Sequence, residues 1–85
     1  MWMRYARPHE GDKLGRDDWF IMRTENAAGD RVTLVLVDFG AGSRAQVDKA
    51  VMSRSDARAL CEATGAELEA EGWKMDAPPN LYQSW

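Results

Sequence analysis

Val32 to Phe39 reads Val-Thr-Leu-Val-Leu-Val-Asp-Phe. The run is too short and too β-branched to prefer a helix, so it predicts a strand. Strand side chains alternate between faces. Val32, Leu34 and Leu36 share one face, and Val35, Val37 and Phe39 share the other. Both faces are apolar, whereas a sheet with one wet face shows apolar–polar alternation. Something must therefore cover both sides of this strand.

The neighbouring patterns supply the rest of a small domain. Asp18 to Thr24 predicts a strand, with Trp19, Phe20, Ile21 and Met22 contiguous. Asn26 to Asp30 suits a four- or five-residue hairpin loop with Gly29 at positive φ. Gly40 to Ser43 is the next turn. In 44–52, Ala45, Val47 and Val51 alternate with Arg44, Gln46 and Asp48, and Lys49 is the one polar residue on the apolar side. That reads as an edge strand with one wet face, its inward Lys guarding the edge. A helix through Val47, Ala50 and Val51 is the competing reading.

Ser53 begins a helix: Ser53 is the N-cap, and Asp56 lies three residues on as in a capping box. Ala57, Leu60, Cys61, Thr64 and Leu68 form its apolar stripe. Gly72 at C′, with Trp73 meeting Leu68, predicts a Schellman ending. Gly65 weakens the middle by roughly 0.5–1 kcal/mol relative to Ala and marks a close approach of helix to sheet. The fold expected is therefore α+β: a small antiparallel sheet of three or four strands (hairpin 18–39, third strand 44–52) packed against one helix over about 54–71.

The ends are less regular. Met1 to Arg7 has three large apolar residues and no clean period, as a short strand or an arm lying on the sheet would. Pro8 to Asp17 reads as a loop. Trp73 to Asp76 can add a short strand, and Pro78-Pro79 stiffens an extended tail carrying Leu81, Tyr82 and Trp85. The expected organisation is one domain over 1–85, with 1–17 as N-terminal arm and loop and 73–85 as C-terminal tail.

Composition narrows the function. Eighty-five residues with one Ile, two Phe, five Val and six Leu make a marginal core, so self-association would help. The net charge of −3 lacks the basic excess of a nucleic-acid binder. Residues 1–55 hold nine basic against eight acidic residues and 56–85 hold two against six, so the helix half is the acidic one. A single Cys excludes an intramolecular disulfide and a Cys-based zinc site. Neither a signal-peptide pattern nor a membrane-length apolar run is present, and a cytoplasmic location is the expectation.

No motif names a reaction. His9, Glu10, Asp12, Asp17 and Asp18 are the only cluster of potential metal ligands, and their spacing fits no calcium loop and no zinc set. Ser43, Ser53, Ser55 and Cys61 are the candidate nucleophiles for a His9 base, and none has the sequence context of one. Gly40-Ala-Gly-Ser43 lacks the glycines and lysine of a phosphate loop. The chain is accordingly read as non-catalytic, with no metal and no cofactor.

Aromatic residues are the strongest signal. Trp and Tyr are enriched in interface hot spots, and Trp2, Tyr5, Tyr82 and Trp85 are the candidate partner-binding residues. Trp19 and Trp73 are assigned to the core. Glu62 and Glu69, on the acidic helix face, are a second candidate docking surface. The function expected is a protein-binding protein acting by stoichiometric contact. Motif-poor chains of this size include phage and mobile-element accessory proteins, some of them inhibitors of host defence complexes such as CRISPR effectors; this is a prior that no residue here carries. The partner is then a host protein complex. A self-associating structural or accessory homodimer is the alternative. A nucleic-acid module using Arg4, Tyr5 and Arg7 ranks third, and no membrane association is expected.

Overall fold

The computed structural model describes residues 1–11, 13–40 and 44–77. In chain order these form β1 (Trp2–Pro8), β2 (Asp17–Ala28), β3 (Arg31–Phe39), β4 (Gln46–Ser53), α1 (Arg54–Ala70) and β5 (Lys74–Ala77). The strands make one antiparallel sheet in the order β4-β3-β2-β1-β5, and α1 packs on one face of it. The α+β class is the expected one, with five strands rather than three or four. Residues 2–8, read as part of an arm, form a strand inside the sheet, paired on both sides. Residues 74–77, assigned to the tail, form its short outer strand. The expected tail beyond them, and most of the Gly40–Ser43 turn, lie outside the described residues.

The hairpin of β2 and β3 is tighter than the expected four- or five-residue loop. Ala28 pairs with Arg31 around Gly29 and Asp30, and the register shifts between Glu25 and Ala28. Gly29 takes the expected positive φ of 59°, and Asn26 accepts one of 53° inside the bulge. The tip is tied to the start of the helix. The Arg54 amide donates to the Asp30 carbonyl at 2.8 Å, and Arg54 Nε donates to the Gly29 carbonyl at 2.8 Å.

Register decides which face meets the helix. Met3, Met22 and Leu36 form one cross-strand row, and Tyr5 lies opposite Phe20. These join Met1, Leu34, Cys61, Leu68 and Trp73 in the core under α1, with Met52 at its margin. The Val32, Leu34, Leu36 parity of β3 is therefore the helix side. The other parity, Val35, Val37 and Phe39, faces away from α1.

Both helix ends are as the sequence predicts. The Asp56 amide donates to Ser53 Oγ at 3.1 Å, a cap whose removal typically costs about 1 kcal/mol. At the other end the Trp73 amide donates to the Leu68 carbonyl and the Gly72 amide to the Glu69 carbonyl, each at 3.0 Å, with Gly72 at φ 94°. This Schellman ending seats Leu68 and Trp73 together in the core. The buried stripe of α1 is Ala57, Cys61, Gly65 and Leu68. Leu60, expected in it, is 41% exposed and points toward β4 instead. Gly65, on this buried stripe, meets the tip of the Tyr5 side chain of β1. A Cβ there would lie 2.5 Å from Tyr5 Oη.

Candidate functional site

Three rows of side chains build the helix-free face. Ala6, Trp19 and Phe39 lie in one cross-strand row, Arg4, Ile21, Val37 and Val47 in the next, and Trp2, Arg23, Val35 and Lys49 in the third. Trp19 is 41% exposed and Phe39 36%. With Arg16, Asp17 and Gly40 they line a groove of about 330 Å³ at one end of the sheet. Trp19, assigned to the core from its bulk, is thus on the surface. Phe20, its neighbour on the other parity, is the one that packs inward, edge-on to Trp73 with ring centroids 6.4 Å apart.

Charged side chains organise this face. The Arg4 guanidinium sits 4.7 Å from the Trp19 ring centre and 5.9 Å from that of Trp2, and its Nε donates to Asp76 Oδ1 at 2.8 Å. Such cation–π contacts contribute about 0.5–1 kcal/mol at exposed sites. Here they also hold both indoles in place. Further along, Lys49 Nζ lies 3.0 Å from Glu25 and Arg23 Nη1 3.5 Å from Glu25. Arg23 and Lys49 flank Val35 in register, and their aliphatic stems account for its full burial on the face without a helix. Part of the second apolar face is thus covered by the chain's own Arg and Lys.

A second feature lies on the helix side. Asp18 is 6% exposed. Its carboxylate accepts from His9 Nδ1 at 2.7 Å and faces Arg7 Nε at 3.4 Å. Arg7 also stacks over Trp73, 4.5 Å from the ring centre. A cleft of about 340 Å³ is lined by Arg7, Pro8, His9, Glu10, Asp18 and Glu71. The carboxylate fixes the imidazole with Nδ1–H inward, the arrangement that orients a general base or a metal ligand. Among the described residues no hydroxyl or thiol lines this cleft, and no group of three or more His, Cys, Asp or Glu suited to a metal occurs. Cys61 sits apart in the core, where burial pushes its thiol up to about 11, away from reactive thiolate chemistry.

The expected partner-binding residues separate. Trp2 is half-buried on the helix-free face. Tyr5 is 4% exposed beneath Gly65, a core residue unable to meet a partner. Glu62 and Glu69 lie exposed on the outer side of α1, Glu62 accepting from Arg58 at 3.1 Å. Tyr82 and Trp85 lie outside the described residues. The sequence pattern does not mark Trp19 and Phe39 as a pair, nor Asp18 as the anchor of His9; it places His9 and Asp18 together only as potential metal ligands. No helix is long and apolar enough to cross a membrane among the described residues. No protein-family model, curated protein or solved structure matches the chain.

Proposed function

We propose that this chain is a non-catalytic protein-binding domain, acting in the cytoplasm by stoichiometric contact through the Trp2–Trp19–Phe39 end of its helix-free face. The observation that carries the reading is the groove between Trp19 and Phe39, large aromatic side chains left part-exposed and side by side on a rigid sheet. Interface hot spots are rich in Trp, and aromatic anchors bury large area at low cost in side-chain entropy. Arg4 strengthens the case, because it fixes the indoles before any partner arrives. Inhibition of a larger host assembly is one form such contact takes.

Affinity capture from host cells tests this when wild type is compared with Trp19→Ala and Phe39→Ala. The reading expects a one-to-one complex that either substitution weakens at least about 30-fold, the effect of losing one hot spot. Glu62→Lys with Glu69→Lys should leave it intact. Equal capture by wild type and the groove variants, with far-UV circular dichroism unchanged, overturns the proposal.

A further inference from the structure

β4 is a sheet edge of eight residues, paired with β3 from Arg31–Ser53 to Asp38–Gln46 without a bulge. The opposite edge is different: β5 has four residues and meets β1 through a register shift. Long, regular edges invite strand pairing, and proteins usually blunt them with proline, bulges or free charges. β4 has no proline and no bulge. Its charged residues are Lys49, held by Glu25 of the same chain, and Asp48 on the helix-side parity. Apolar surface flanks the edge on both sides. On the helix-free face Val47 is 51% and Val51 69% exposed. On the helix face a gap of about 70 Å³ is bordered by Leu36, Ala50, Met52 and Leu60, with Asp48 and Lys49 also at its border.

We propose that β4 is where a second copy of this chain adds, antiparallel and strand to strand, turning two five-stranded sheets into one continuous sheet. The two-fold axis of such a pair stands perpendicular to the sheet. It keeps both helices on one side and opposes only residues of like parity. Centred on Lys49, it sets Val47 opposite Val51 of the second copy, twice, and Asp48 opposite Ala50. Each Lys49 keeps its own Glu25, so the two ammonium groups at the axis are each neutralised. Centring on Asp48 would oppose two carboxylates, and centring on Ala50 would set Val51 against Lys49. Of these three registers, the one centred on Lys49 makes the strand its own complement. On the helix side the same operation brings the two exposed Leu60 side chains toward a shared seam. This surface is separate from the Trp19–Phe39 groove and does not rest on the function proposed for it.

Sedimentation velocity over a concentration series reads the result directly. Wild type should show twice the 9.6 kDa chain mass, and Val47→Lys with Val51→Lys should return it to the single mass with circular dichroism unchanged. Because opposed residues place their Cβ atoms about 4.5–5.5 Å apart, Lys49→Cys should form a covalent dimer on a non-reducing gel; the buried Cys61 does not compete. This second variant decides the matter if the double lysine chain fails to fold. A wild type of single mass at all concentrations, a dimer that survives both lysines, or one dissolved instead by Trp19→Ala overturns the proposal, as does a Lys49→Cys chain that stays monomeric under oxidation.

Discussion

Gly65→Ala is a substitution whose sign is set by one contact. In an exposed helix interior this change stabilises by roughly 0.5–1 kcal/mol, because glycine loses more backbone freedom on folding. In this fold the added Cβ would stand 2.5 Å from Tyr5 Oη and 3.3 Å from Tyr5 Cζ. Tyr5 is buried on β1, between β2 and β5, and has little room to retreat. Overpacking of this kind costs about 1–3 kcal/mol. The expected net effect is a loss of roughly 1 kcal/mol, or about 4–8 °C in Tm for a chain of this size. Tyr5→Phe removes the hydroxyl oxygen and leaves the ring atoms Cζ at 3.3 Å and Cε2 at 3.7 Å, of which the first is relieved by a shift of a few tenths of an ångström. In that background Gly65→Ala should stabilise by the helix-propensity term. Urea unfolding of the four chains, followed by circular dichroism, closes the cycle. If Gly65→Ala has the same effect with Tyr5 and with Phe at that position, the close approach is not what keeps glycine there.

Two further outcomes follow from buried groups. Burial lifts the Cys61 thiol from 9.0 to about 11, so the unfolded chain releases this proton first. The associated stability is complete below pH 9 and is lost as pH rises toward 11, at up to about 1.4 kcal/mol per unit. The Tyr5 phenol, also raised by burial, acts in the same direction. Cys61→Ala should flatten this alkaline slope in pH-dependent urea unfolding, and equal slopes in the two chains would refute the assignment. Asp18→Ala removes the acceptor shared by His9 and Arg7. It should cost roughly 1–3 kcal/mol and alter the fluorescence of Trp73, over which Arg7 is stacked. Asp18→Asn, which can still accept from His9, should cost less; an unchanged unfolding midpoint for Asp18→Ala would count against a stabilising role for the Asp18 contacts.

Local rules carried far in this chain. The Ser53 cap, the Gly72 ending and the positive φ of Gly29 each depend on a few neighbouring residues, and each is found where the pattern put it. What stayed hidden depends on register. Ala28 opposite Arg31, extended without interruption, would oppose Trp19 to Gly40. The bulge between Glu25 and Ala28 moves the pairing by one, and Trp19 faces Phe39. A one-residue slip exchanges the faces of a strand, so the exposed aromatic pair followed from a bulge that the loop composition did not reveal. The apolar parity of β4 was legible too, but not its side. Val47 and Val51 face away from α1, and the strand's six residues Gln46–Val51 are all exposed. The cleft residues Arg7, His9 and Asp18 come together only because β1 pairs with β2, opposing Arg7 to Asp18. Nothing in the irregular Met1–Arg7 pattern fixed that pairing.

The position of β5 has a kinetic meaning. Four of the strands follow one another around the sheet, but β5 returns to β1, with Ala77 opposite Arg4, more than seventy positions back along the chain. Local pairings close quickly, whereas this one must bring together distant segments at a larger entropic cost. During synthesis β1, paired with β2 on one side, therefore keeps its other side open while β3, β4 and the helix are made. The Arg4–Asp76 ion pair and the seating of Trp73 under Phe20 and Arg7 can form only in that closing step. The indole platform on the helix-free face, which Arg4 and Asp76 hold, is thus completed last, when the whole sheet has closed.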